Sequence, residues 1–170
     1  KGMAFAEAGK TDDAIAAFDR ALALDPEDPV AWAGKGSTFS LLSRHEEAVL
    51  AFDRLLEHSP ENAPAWTARG ESLIRLLRNR EAIDSLDRAL AINPDDVEAH
   101  YARGRALQAS RDLKGALTAF ERVLTLDPAY ADAWAAKGNV LSSNGQYAEA
   151  VRAYTSALML APSDHVTWNN

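Results

Sequence analysis

A chain of 170 residues with 47 % hydrophobic residues, a formal charge of −7 and no cysteine has ample apolar material to fold. The missing cysteines exclude a disulfide framework, a thiolate nucleophile and a zinc–thiolate site. The acidic balance argues against nucleic acid as a partner, because a broad phosphate-binding surface needs a basic stripe. No apolar run approaches the roughly 18 residues of a membrane span, so a soluble protein is expected, and with no signal peptide in view a cytoplasmic one.

Glycine recurs at Gly2, Gly36, Gly70, Gly104 and Gly138, a stride of 34 with no insertion. The same stride carries Ala14, Ala48, Ala82, Ala116 and Ala150, the bulky set Phe18, Phe52, Leu86, Phe120 and Tyr154, and the prolines Pro26, Pro60, Pro94, Pro128 and Pro162. Four residues before the last four glycines stand Trp32, Trp66, His100 and Trp134. A fixed period of this length is the signature of a solenoid, in which each unit contacts mainly its neighbours.

In chain order, the segment before Gly9 supplies the second half of a helix. Thr11-Asp12-Asp13 then opens another that runs through Ile15, Phe18 and Leu22 toward Pro26, with apolar residues at three- and four-residue spacing. Asp28-Pro29 reads as a cap followed by proline at the first helical position, where a missing N–H is harmless. Asn62, Asp96 and Asp164 take the cap place in later units, and Tyr130 is the exception. Helices are predicted at 29–42, 45–58, 63–76, 79–92, 97–110, 113–126, 131–143 and 147–160. Close approach of antiparallel helices would set Gly138 against Ala150, while Trp134 and Tyr154 fill the wedge between hairpins. The stretch 86–115 is expected to be the weakest seam, because Leu86, His100 and Gly115 each weaken packing or helix propensity.

A W-x-x-x-G run, an A-x-x-x-F/Y-x-x-A run and a closing proline on this period resemble the tetratricopeptide repeat family over the whole chain. The departures are His100, Leu86, and Ser43, Leu77 and Arg111 where Gly9 and Gly145 supply a turn glycine elsewhere. The resemblance implies an all-α, right-handed α-solenoid of helix-turn-helix repeats whose first helices line a concave groove for extended peptides or partner helices. It implies one solenoid over residues 1–170, about five repeats. A partial first helix stands at one end and a partial sixth repeat at the other, as in an excerpt from a longer array.

The residue before each glycine is Lys1, Lys35, Arg69, Arg103 or Lys137, where the family often has leucine. Acids at Asp19, Asp53, Asp87 and Glu121 can pair with cations of their own unit or with those of the next. The first scheme leaves Lys137 unpaired, and the second gives a ladder across the seams with packed stems and partly wet heads. Independent surface charge is the alternative.

Candidate chemistry is sparse. Gly34-Lys35-Gly36-Ser37 lies mid-helix and lacks the spacing of a phosphate loop. His45, His58, His100 and His165 occupy four different places in the unit, and metal ligation needs convergent donors. Acids sit mainly at caps and on solvated faces, away from the unlike environments of a catalytic pair. Neither cofactor nor metal nor catalysis is expected. A chaperone-tail clamp, which some family members carry, is disfavoured: Asn139 and Asn170 match its asparagines but Ala135 stands where it needs lysine.

If the first helices face inward as the resemblance implies, the groove lining would be Val30, Ala33, Ser37 and Ser40, then Thr67, Glu71, Ile74 and Arg75. Glu98, Tyr101, Arg105 and Gln108 follow, then Asp132, Ala135, Asn139 and Ser142. Tyr101 with Arg75 and Arg105 is the expected hot spot, combining contact area with donors. The expected function is a non-enzymatic scaffold that binds a peptide or protein segment in this groove. Two other readings stand beside it: a module that self-associates head to tail, and a regulatory arm of an enzyme lying outside this segment.

Overall fold

The computed structural model describes residues 11–161. Lys1, Gly2, Gly9, Pro162, Asp164, His165, Trp168 and Asn170, and with them the partial first helix and partial sixth repeat, lie outside the described residues. Those residues form α1 (Thr11–Leu24), α2 (Pro29–Leu41), α3 (His45–His58), α4 (Ala63–Arg75), α5 (Asn79–Ile92), α6 (Val97–Ala109), α7 (Leu113–Leu126), α8 (Ala131–Ser143) and α9 (Tyr147–Leu160), with no strand among them. The predicted boundaries hold to within a residue.

The starts follow from capping chemistry. The Asp28 carboxylate accepts from the N–H groups of Val30 and Ala31, Asn62 Oδ1 from Ala65 and Asp96 from Ala99. Each bond satisfies a donor that the first helical turn leaves without a partner. Tyr130 makes no side-chain cap. Asp112, which the sequence reading passed over, caps α7 by accepting from Gly115 N–H at 2.9 Å. In place of a cap, Arg44 and Arg78 grip Glu47 and Glu81 three residues on through two hydrogen bonds each.

Each first helix closes on a residue in the left-handed region: Ser43 (φ 58°), Leu77 (φ 60°), Arg111 (φ 65°) and Gly145 (φ 78°). The next residue's N–H reaches back to Phe39, Leu73, Leu107 and Leu141 carbonyls at 2.9 Å, which makes each end a Schellman turn. Second helices end on an N–H bonded four residues back, at Ser59, Asn93, Asp127 and Ala161, and the following proline cannot continue them. Each tryptophan then ties the link down: Nε1–H of Trp32, Trp66 and Trp134 donates to the carbonyl of Pro26, Pro60 and Pro128 at 2.8, 2.8 and 3.0 Å.

The chain divides into two compact units, 1–94 and 95–170. In the first unit α2 pairs with α3 and α4 with α5, while α1 packs on α2 and α3 on α4. In the second, α6 pairs with α7, α8 with α9, and α7 packs on α8. In α3, buried Ala48, Val49, Ala51, Phe52, Leu55 and Leu56 form one stripe and Glu46, Leu50, Arg54 and Glu57 lie outside it.

The packing partner of the repeat glycine differs from expectation. A Cβ on Gly138 would meet the Tyr154 ring at 2.5 Å; on Gly104, the Phe120 ring at 2.5 Å; on Gly36, the Phe52 ring at 2.8 Å; on Gly70, Leu86 at 2.7 Å. The glycine therefore receives the bulky side chain of its own hairpin. It is not the seat of the recurring alanine, and the ring also reaches the next hairpin: Phe18 lies against Gly34 and Ala31 of α2, and Phe52 shares a buried cluster with Ala65 of α4. Alanine and ring occupy one face of the second helix, a turn apart, and helix crossing geometry selects the ring.

Candidate functional site

The first helices α2, α4 and α8 are held by seam cations. Lys35 Nζ lies 2.6 Å from Asp19 on α1, Arg69 Nε 2.6 Å from Asp53 on α3, and Lys137 Nζ 3.0 Å from Glu121 on α7. These are the next-unit pairs of the ladder reading. The cation side chains are 19, 17 and 22 % exposed against 54, 39 and 52 % for their acids, so the stems pack while the carboxylates stay wet. Each cation also lies over its own tryptophan, 5.4 to 5.8 Å from the ring centroids of Trp32, Trp66 and Trp134.

With the first helices so fixed, their remaining faces can be read. In the first unit, Val30 and Ser37 on α2 and Glu71 and Arg75 on α4 are exposed. Thr67 and Ile74, expected in the lining, are buried at 7 and 9 % exposure and offer little contact area. Ser40 and Ser72 join α2 to α4 through their hydroxyls at 3.2 Å. Ser72 gives its proton to the Ala68 carbonyl, so Ser40 is the donor between them.

The second unit presents a different surface. Tyr101, Arg105 and Gln108 lie half-buried on α6, and Asp132 and Asn139 exposed on α8. The Tyr101 ring sits 5.1 Å from Tyr130 and 5.8 Å from Phe120, tilted to both. The Tyr130 hydroxyl donates to both oxygens of the Glu98 carboxylate, at 3.0 and 3.1 Å. Tyr154 O–H donates to Asn139 Oδ1 at 2.7 Å, which fixes the amide so that its NH₂ points away from the tyrosine.

The phenols stay protonated here. Burial, then the Glu98 carboxylate, pushes Tyr130 well above the ordinary phenol range. Tyr101 is raised by burial first and by Asp132 second, with Arg105 working against them. Burial likewise raises Tyr154. The face is therefore a set of neutral aromatic donors beside fixed carboxylates and one guanidinium. Arg75 belongs to the first unit, so Tyr101 and Arg105 are the members of the expected hot spot that share a helix.

Sequence reasoning missed Tyr130 and Tyr154 as site residues. The signal for Tyr130 was its place: an aromatic where four other units carry Asn or Asp. Among the described residues, no group of three His, Cys, Asp or Glu side chains could hold a metal ion, and no helix is long and apolar enough to cross a membrane.

The 34-residue hairpin, its glycine–ring contact and its tryptophan–proline bond recur through both units. The family profile described as tetratricopeptide repeat matches residues 1–65, 67–131 and 101–165. The chain belongs to the tetratricopeptide repeat family. Its fold is accordingly an all-α solenoid of helix-turn-helix repeats. Among solved structures, a crystal structure of MamA is similar at a TM-score of 0.91 and 24 % identity, covering 95 % of this chain and 94 % of that one. MamA 41-end from Desulfovibrio magneticus RS-1 is similar at 0.90 and 21 %, covering 96 and 93 %. YrrB, described as a TPR protein with an unusual peptide-binding site, is similar at 0.84 and 27 %, covering 97 and 84 %. No curated protein sequence matches the chain.

Proposed function

We propose that this tetratricopeptide repeat chain is a non-enzymatic interaction scaffold whose first-helix faces receive a peptide or protein segment. The observation that carries the reading is the α6–α8 face. There a half-buried tyrosine, a guanidinium and a carboxylate held by the Tyr130 hydroxyl stand together on α6, a combination of contact area and oriented polar groups that suits a binding hot spot. The peptide-binding site named for YrrB supports the same reading. In this reading Tyr101 supplies apolar area, Arg105 and Gln108 hydrogen-bond the segment's carbonyls or carboxylates, and the Asn139 NH₂ adds a donor across the face. On the first unit, Ser37, Glu71 and Arg75 offer an exposed polar face of their own to such a segment.

The test uses a peptide selected on the full chain from a displayed random library, then titrated calorimetrically against variants. Tyr101→Ala with Arg105→Ala is expected to weaken binding by about 2–4 kcal/mol, the range of hot-spot truncations. Undiminished affinity in that double variant, with its helical signal intact, would place the contact elsewhere and overturn the assignment.

A further inference from the structure

The residue before the repeat glycine does two different things along the chain. Lys35 and Lys137 end at a single acid of the preceding second helix. Arg69 makes the equivalent bond to Asp53 on α3 and extends its other arm to α5, where Nη1–H donates to Ser85 Oγ at 2.6 Å. Ser85 is 1 % exposed and passes its own proton to the Glu81 carbonyl at 2.9 Å, so neither group is left unsatisfied in the interior. One guanidinium thus joins α3, α4 and α5.

The register of Ser85 explains why the lysine seams lack this bridge. On the 34-residue stride it corresponds to Ala51 and Ala153, which have nothing to accept a hydrogen bond. At those two places the structure holds open clefts. One of about 540 Å³ is lined by Trp32, Lys35, Leu50 and Ala51 among others; one of about 320 Å³ is lined by the matching Trp134, Lys137, Arg152 and Ala153. Arg103 and Ala119 carry half of the arrangement, an arginine in register with no hydroxyl opposite.

We propose that Arg69 and Ser85 form a clasp that makes α3, α4 and α5 move as one block, and that the Lys35/Ala51 and Lys137/Ala153 seams, lacking it, are the compliant ones. A lysine ammonium is a point charge with one partner here, whereas the planar fork of arginine reaches two at once. The inference is independent of what the first-helix faces bind.

The test grafts the clasp onto the second unit of the full chain as Lys137→Arg with Ala153→Ser, and removes it from the first as Arg69→Lys with Ser85→Ala. Native-state hydrogen exchange is followed amide by amide. The graft is expected to slow exchange in α7, α8 and α9 about tenfold beyond the product of the two single variants, the size of a charge-assisted hydrogen bond. Removal is expected to speed exchange in α3 to α5 by a similar factor and leave α6 to α9 unchanged. Multiplicative singles, or a uniform change through every helix of either variant, would overturn the proposal, since both mean a general stability effect without a seam clasp.

Discussion

The two units meet the same local demands with different residues. In the first, the α4/α5 hairpin seats Leu86 on Gly70, its turn places Leu77 in the left-handed region, and the second helix starts on the Arg78–Glu81 pair. In the second, Phe120 and Tyr154 rings sit on Gly104 and Gly138, Gly145 makes the last turn, and Asp112 caps α7. Backbone geometry is conserved through all of these exchanges. A repeat position thus asks for a volume, a dihedral angle or a charge, and several residue types meet each demand.

The largest expected effect concerns volume. Gly104→Ala drives a Cβ to 2.5 Å from the fully buried Phe120 ring, which has no room to turn. Overpacking of about 1–3 kcal/mol outweighs the roughly 1 kcal/mol that alanine gains over glycine in a helix. Gly70→Ala meets the equally buried Leu86 at 2.7 Å, a branched chain that is narrower than a ring, and a smaller loss than at Gly104 is expected. Urea unfolding of the two variants measures the difference, and equal losses would break the contrast between ring and leucine.

Next comes the dihedral angle. Leu77 is 81 % exposed and holds φ 60° without packing to compensate, so Leu77→Gly should stabilise by about 1 kcal/mol. Gly145→Ala at φ 78°, with open space around it, should destabilise by about the same amount. Thermal melts that move in the same direction for both would show that the turns are not equivalent.

The smallest effect is electrostatic. Hydrogen bonding to Arg44 and Arg78 holds the Glu47 and Glu81 carboxyls below the ordinary glutamate range. A folded pKa below the unfolded one contributes stability that is fully present above the unfolded value, about 4.3, and is lost as pH falls through the folded value. Glu47→Gln with Glu81→Gln should therefore lower the Tm slightly near neutrality and leave it unchanged in strong acid, where wild type has lost the same contribution. Both pairs are solvent-exposed, and added salt should shrink the difference at neutral pH.

What was legible in the sequence was whatever the helix itself decides. Caps at Asp28, Asn62 and Asp96, proline stops and apolar spacing are read within a few residues of one another, and they placed the helices. The ladder was legible for another reason: the repeat allows two regular pairings of the same acids, the own-unit one leaves Lys137 without an acid, and Lys35, Arg69 and Lys137 follow the next-unit one. Contacts between helices were harder. Ala150 and Tyr154 lie one turn apart on the same face, and choosing which of them meets Gly138 requires the crossing geometry. The same limit hid the Arg69–Ser85 bond, the burial of Thr67 and the packing of Tyr130 on Tyr101. Each joins residues whose separation in sequence carries no local rule.

The tryptophan that donates to a proline carbonyl six residues earlier gives each of three links its own spectroscopic label. When such a link opens, its indole loses a fixed acceptor and gains water, so its N–H proton resonance shifts apart from those of the others. Three such probes, at Trp32, Trp66 and Trp134, let unfolding of this array be followed joint by joint without any added dye.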